Sequence, residues 1–381
     1  MEFSKVTHFM ESLKDIGIPG ADLSIYLKGE EVFRHRTGFA NLESQIPIAP
    51  DTLYSIYSMT KVVTCVSALR LFEEGRFLLN DPLSNYLPEF KEMQVRHTHE
   101  NGATSILPAK KPIRIVDLFT MSSGVTYAFT DHVQKLLQET DGNSTLKDMV
   151  SAIAKDPLFF EPGDRYHYGF SHDILGHLVE VLTGKTIGEY FYENIFAPLG
   201  MEDTFFKVPP EKQHRFANCY VIEEEAEDKY KHSINKNGPL RFVDPDYKFE
   251  SPGGGLVSTI DDYAKFANTL CAGGTAVNKY RLLGKATVNL MRANQLDDAR
   301  MKDFDGPAHG YGYGLGVRTM VNPAIGGASS NVGEFGWSGL AGTYVLMDPS
   351  IGLTYVYAHQ LMPSKEEYVA PRLRNIIYGC L

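Results

Sequence analysis

Long apolar runs, cysteine, tryptophan and positive charge are all scarce in this chain. No apolar stretch approaches the roughly 18 residues that a transmembrane helix takes, so no membrane span is expected. The four cysteines, Cys65, Cys219, Cys271 and Cys380, are widely scattered. They form no CxxC pair and no Cys/His cluster, so a structural zinc site is not expected. The first twenty residues carry Glu2, Lys5, Glu11, Lys14 and Asp15 among apolar ones. That interrupts any leader-like apolar segment, so the expected location is cytoplasmic, with the thiols reduced. A net charge of −10 argues against a nucleic-acid partner, which would be met by a basic stripe. The basic residues Lys110, Lys111 and Arg114 make too short a run to serve and read as a solvated loop. What the chain does have is apolar content, 43% of its 381 residues, enough to bury a substantial core.

The patterning places extended segments at both ends and helices in the middle. Residues 3–16 read as an amphipathic helix. Residues 21–27 and 31–37, joined at Lys28-Gly29-Glu30, read as a hairpin. Residues 343–347 and 353–358 flank Asp348-Pro349-Ser350-Ile351-Gly352 as a second hairpin, and 365–378 read as a closing helix. A densely apolar helix is expected from Ser58 to Glu74, stopping at Gly75; its apolar density implies burial. A second runs over 170–182 to Gly184. A third opens at a capping box, Ser258-Thr259-Ile260-Asp261, and ends at Gly273-Gly274. The stretch 221–250, with Glu223-Glu224-Glu225, reads as a charged surface excursion.

Three tetrapeptides have the form Ser-x-x-Lys: Ser58…Lys61, Ser144…Lys147 and Ser233…Lys236. On a helix, positions i and i+3 share a face, so hydroxyl and amine can meet. A serine is a weak nucleophile unless a base takes its proton. A lysine serves as that base if burial lowers its hold on the proton. A helix start also aims backbone N–H groups at a developing oxyanion. Only Ser58 stands between an extended run and a buried helix; Ser144 follows a turn-prone run and reads as a helix cap. The bland alternative for Ser58 is also a cap. Downstream, Pro162-Gly163 makes a turn before an apolar helix, and Tyr168 sits at that junction. Tyr168 could relay a proton, or Tyr166 and Tyr168 could be packing aromatics. The single tryptophan, Trp337, lies in a glycine-rich run from Gly333 to Thr343 that lets a ligand approach the strand closely. It could line a pocket or fill core.

Several ordered motifs together carry a resemblance over nearly the whole length. They are Ser58–Lys61, Leu79-Asn80-Asp81-Pro82-Leu83 and Leu118-Phe119-Thr120-Met121-Ser122-Ser123-Gly124. Pro162-Gly163 with Tyr168, Pro198-Leu199-Gly200-Met201 and Gly253-Gly254-Gly255-Leu256 follow in order. The chain resembles the serine β-lactamase and penicillin-binding-protein superfamily, in its β-lactamase-like carboxylesterase branch (family VIII). Two positions depart from the superfamily pattern. Its Tyr-x-Asn reads Tyr168-Gly169-Phe170, since the literal Tyr192-Glu193-Asn194 falls where the family has a packing helix. Its Lys-Thr-Gly strand reads Trp337-Ser338-Gly339, without the cation suited to a carboxylate.

The resemblance implies an α+β fold: an antiparallel sheet with helices on both faces, beside a mostly helical region. The sheet domain would combine 1–65 with 240–381, the helical domain would be 66–239, and the active site would lie between them. Ser58 would be the nucleophile, Lys61 with Tyr168 its proton acceptors, and the backbone N–H groups of Ser58 and Leu340 the oxyanion hole. Trp337, Ser338, Gly339 and Phe170 would line the substrate site. No metal or organic cofactor is implied. The substrate would be a small ester or amide. A carboxylesterase on short-chain esters is the expected activity. A β-lactamase, a D-amino-acid peptidase, an acyltransferase and a non-catalytic binding protein are the alternatives.

Overall fold

In the computed structural model of the chain, residues 1–99, 101–128, 130–223, 231–234, 240–304 and 309–381 are described. Two helices and three strands near the N-terminus begin the sheet layer: α1 (Ser4–Ser12), β1 (Gly20–Leu27), β2 (Glu30–Asn41), β3 (Ile46–Pro47) and α2 (Thr60–Glu73), with α3 (Ser171–Thr183) further on. The later elements of this layer are α4 (Ile260–Cys271), β4 (Tyr311–Tyr313), β5 (Arg318–Met320), β6 (Phe335–Ser338), β7 (Tyr344–Asp348), β8 (Leu353–Ala358) and α5 (Glu366–Tyr378). The eight strands form one sheet in the order β4-β5-β6-β7-β8-β1-β2-β3, antiparallel throughout. Both chain ends therefore meet at its centre, where β8 pairs with β1, Leu23 opposite Tyr357.

Alternation along the central strands sorts side chains to two cores, as a period of two dictates. Tyr344 and Leu346 of β7, with Leu353, Tyr355 and Tyr357 of β8, pack with Val6 and Met10 of α1 and Leu373 and Ile377 of α5. Val345 and Met347, with Val356 and Ala358, face the opposite side and join α2, α3 and α4 in the larger core. The sheet thus has helices on both faces, as the family resemblance implies. The amphipathic start of the chain is α1 followed by a 3-10 turn over Leu13–Ile16.

Two caps differ from their sequence reading. The helix Leu146–Ile153 is capped by Thr145, in a reciprocal box with Asp148, and not by Ser144, whose buried hydroxyl has no partner among the described residues. The cap of α4 is Thr259, accepting from Asp262 N–H at 3.1 Å, one residue later than the expected Ser258. In each case the threonine has the extended backbone a cap requires. Ser233…Lys236 and the middle of the 221–250 excursion lie outside the described residues or their side chains. The four cysteines are free. Among the described residues no helix is long and apolar enough to cross a membrane.

Candidate active site

The segment before Ser58 is fixed from both sides. Tyr54–Ser55 pairs antiparallel with Val257–Ser258, and Ile56 N–H donates to Leu256 O at 3.0 Å. Thr343 Oγ1 donates to Ile56 O at 3.1 Å, tying in the turn that follows β6. Tyr57 is held at φ 43°, a left-handed conformation costing about 1–3 kcal/mol for a non-glycine residue. It persists because these partners determine the chain on either side. The expected single helix is therefore split: Tyr57–Met59 is a 3-10 turn and α2 begins at Thr60. Ser58 sits on that turn, half-buried.

Lys61 rises one turn behind it and is fully buried. Its Nζ donates to Ser58 Oγ at 3.3 Å, to Tyr127 OH at 2.9 Å and to the Gly253 carbonyl. Three acceptors match the three donors of an ammonium. Burial pushes that ammonium toward releasing its proton. The oxygens of Tyr127 and Tyr168 and the Asp173 carboxylate outweigh burial and hold Lys61 above the usual lysine range. The burial that the sequence reading required of a basic lysine is met, and its polar neighbours oppose the effect of that burial. Tyr127 keeps 37% of its surface open, but its hydroxyl end is turned inward. That enclosure pushes the phenol up, and the Lys61 charge offsets it only in part. Lys61 and Tyr127 are thus one hydrogen-bonded proton-holding pair.

Tyr168 is not bonded to that pair among the described contacts. Its ring lies against the ammonium, with Nζ 4.7 Å from the ring centroid. Its hydroxyl accepts from Trp337 Nε1 at 3.2 Å, and the two rings stack at 5.7 Å. Trp337 is half-buried and meets Tyr313 edge-on at 5.1 Å. Phe170 is buried at the start of α3, with its ring edge-on to Tyr127 at 4.7 Å. It acts as a wall behind Tyr127. Tyr127, Tyr168 and Trp337 therefore give one side of the site an aromatic surface with polar tips. Tyr192 is 62% exposed and belongs to a surface helix turn.

The other side is the turn between β6 and β7. Gly339 N–H donates to Thr343 O at 2.8 Å, and Gly342 N–H to Gly339 O at 2.9 Å. A Cβ on Gly339 would come within 2.1 Å of Thr343 Oγ1 and 2.4 Å of Ile56 O. Only glycine lets this turn lie so close to the chain before Ser58. Leu340 heads the turn with its side chain 58% exposed. Neither the Ser58 nor the Leu340 backbone N–H donates to a protein acceptor among the described residues, so both are available to an oxygen in the site. Ser338 is half-buried on β6. Among the described residues no three His, Cys, Asp or Glu side chains converge as a metal site requires.

The sequence reading missed Tyr127. It stands three residues after Leu118–Gly124, and its partner Lys61 lies on another segment. Within that run Ser123 Oγ bonds Ser171 Oγ at 2.8 Å, fastening the loop to the start of α3.

Residues 4–378 match the family model described as Beta-lactamase. The chain belongs to the Beta-lactamase family. Within it, an uncharacterized protein of Mycobacterium tuberculosis is 31% identical over 358 residues, 92% of this chain and 88% of that one. Esterase EstB of Burkholderia gladioli is 26% identical over 366 residues, 91% of this chain and 87% of EstB. A solved structure described as EstCE1, a hydrolase with promiscuous acyltransferase activity, superposes with a TM-score of 0.80 at 22% identity, covering 99% of this chain and 98% of its own. At that identity the likeness is one of fold. This Beta-lactamase family chain accordingly has the architecture of a serine hydrolase family that includes esterases.

Proposed function

We propose that the chain hydrolyses short neutral carboxylic esters through an acyl-enzyme on Ser58. The observation that carries this reading is Lys61 Nζ within hydrogen-bonding distance of both Ser58 Oγ and Tyr127 OH. A hydroxyl whose neighbour can take up its proton is an activated nucleophile. In the form of the Lys61–Tyr127 pair that has given up one proton, Ser58 Oγ bonds to the ester carbonyl carbon while its own proton takes the vacated place in the pair. The carbonyl oxygen becomes an oxyanion facing the Ser58 and Leu340 N–H groups, where fixed donors stabilise charge that forms only in the transition state. The bond to the alcohol oxygen then breaks, Tyr168 protonates that oxygen as it leaves, and Tyr168 is reprotonated at the expense of the Lys61–Tyr127 pair, which returns to its starting form. Water repeats the sequence, giving its proton to the same group and releasing the acid from Ser58.

Two features support a neutral ester over a penicillin or a D-peptide. Trp337 stands on the strand where the superfamily pattern has lysine, and the aromatic wall formed by Tyr127, Tyr168 and Trp337 suits an apolar acyl or alcohol group. The name of Esterase EstB points the same way. A fluorophosphonate probe followed by peptide mass spectrometry tests the reading, because serine displaces fluoride from phosphorus with no natural substrate needed. The expected adduct is on Ser58. An adduct on Ser144, or none, overturns it.

A further inference from the structure

The mechanism above makes no use of a buried carboxylate on the far side of Lys61. Asp173, on the first turn of α3, is 1% exposed. Its Oδ1 accepts from Ser251 Oγ at 2.9 Å and from Gly253 N–H at 3.2 Å. Its Oδ2 has no protein partner among the described residues. A buried carboxylate with an unsatisfied oxygen is costly, so its presence calls for a role. Fit around it is tight: a Cβ on Gly253 would lie 2.4 Å from Oδ2.

The segment it holds is the one that touches Lys61. Ser251-Pro252-Gly253 runs between α2 and α3 and is clamped from each. From α2, Thr64 Oγ1 donates to Pro252 O at 2.7 Å and Lys61 Nζ donates to Gly253 O. From α3, Asp173 takes the Ser251 hydroxyl and the Gly253 N–H. Gly253 thus has its N–H on the carboxylate and its carbonyl on the ammonium.

We propose that Asp173 is a positioning residue for the acylation step: it pins the Ser251–Gly253 turn so that the Gly253 carbonyl fixes Lys61 Nζ beside Ser58 Oγ. It acts through that turn and through its charge, and it does not touch the reacting atoms. This rests on the reading of Ser58 and Lys61 given above. The groups facing the ammonium are Tyr127 from the loop before residue 130, Tyr168 from the approach to α3, Asp173 and His172 from α3, and Cys65 from its own helix. Burial pushes His172 down to about 3, so it stays neutral, and burial pushes the Cys65 thiol up, so it stays protonated. Burial pushes the Asp173 carboxyl up, against the Lys61 charge and the Ser251 and Gly253 donors; its charged form is the one that helps hold the proton on Lys61.

The test is the rate of fluorophosphonate labelling of Ser58 across pH 6 to 10 in the full chain. Asp173→Asn keeps an oxygen for the two donors and removes the charge. Its labelling should level off at lower pH than wild type, because the lysine loses its proton more easily, and should be about tenfold slower than wild type at pH 10. Asp173→Ala loses the clamp as well and should be slower by about a hundredfold. A merely structural role would lower thermal stability and leave the limb in place. Wild-type rate and limb in Asp173→Asn overturn the proposal if Lys61→Ala has lost labelling. Wild-type labelling in Lys61→Ala overturns the underlying reading too. Should neither Asp173 variant fold, Ser251→Ala decides: severalfold slower labelling supports the clamp, and an unchanged rate overturns it.

Discussion

Trp337 Nε1 donates to the Tyr168 hydroxyl at 3.2 Å, with the indole stacked along the phenol at 28°. An indole nitrogen only donates, so this bond uses a lone pair of Tyr168 and leaves the phenolic O–H to point elsewhere. Trp337 therefore does more than offer apolar surface. It orients the tyrosine read as the proton donor to the leaving alcohol, and it does so from the strand whose following turn carries Leu340.

Two tyrosines next to Lys61 should separate by function. Tyr127→Phe removes the oxygen bonded to Nζ and should slow Ser58 acylation by about a hundredfold or more, the usual scale for a lost acid–base partner. Tyr168→Phe should act mainly on leaving-group protonation. Its effect on kcat should therefore be large for an ethyl ester and small for a p-nitrophenyl ester, whose leaving group needs little protonation. Equal losses on both esters would remove Tyr168 from that role.

Gly339 is set so close to Ile56 and Thr343 that any side chain must move the turn. Gly339→Ala should fold, with stability lowered by about 1–3 kcal/mol for overpacking. kcat should fall by one to two orders of magnitude, because the Leu340 N–H moves away from the oxyanion position. Thermal denaturation and ester turnover measure the two effects. Wild-type kcat would show that the turn takes no part in the chemistry.

Much of this was legible in the sequence, and the reasons are specific. Extended runs joined by turn residues at both chain ends place β1, β7 and β8 to within a residue, while β2 runs four residues past the expected 37, to Asn41. Local density of apolar residues gave the buried helix after Ser58. The two misplaced caps, at Thr145 and Thr259, stand where Ser and Thr are adjacent, and neighbouring cap formers cannot be ranked without the backbone angles. Tyr127 and Asp173 were illegible for a different reason. Each acts through a contact across the fold, with Lys61 66 residues away and with Gly253 80 residues away. No local pattern marks either pairing. The surroundings of Lys61 were illegible for the same cause: burial can be read from an apolar helix, but the acceptors that counter it come from other segments.

His359 offers a pH test of stability. It is buried, with its ring between Tyr357 OH and Ser364 O, each at 2.8 Å. Burial pushes it down to about 4, against the weaker pull of the Ser364 carbonyl. Unfolded histidine titrates near 6.5, so as pH falls from about 6.5 toward 4 only the unfolded chain takes up this proton. The His359 contribution is whole above about 6.5 and falls by about 2 kcal/mol near pH 5. The Tm advantage of wild type over His359→Gln should accordingly shrink between pH 8 and pH 5. An advantage constant over that range would mean that His359 is not held neutral.

Substrate preference follows from the strand at 337–339. A penicillin brings a carboxylate that must shed water on entering the site, which is costly without a cation in place. The superfamily pattern supplies a lysine there, and this chain has Trp337. Lys61 cannot substitute, since its three donors are taken by Ser58, Tyr127 and Gly253. Phe170 supplies no amide for a substrate, and its ring is committed to Tyr127. An unpaired buried polar group costs about 1–3 kcal/mol, one to two powers of ten in rate. With two such groups unmet, p-nitrophenyl butyrate should exceed nitrocefin and benzylpenicillin in kcat/KM by about two to four powers of ten. Trp337→Lys should narrow that gap from both sides, weakening the ester through loss of the Tyr168 contact and strengthening the penicillin through the new charge. Comparable wild-type values for ester and penicillin, or a gap unmoved in Trp337→Lys, would take the preference away from Trp337.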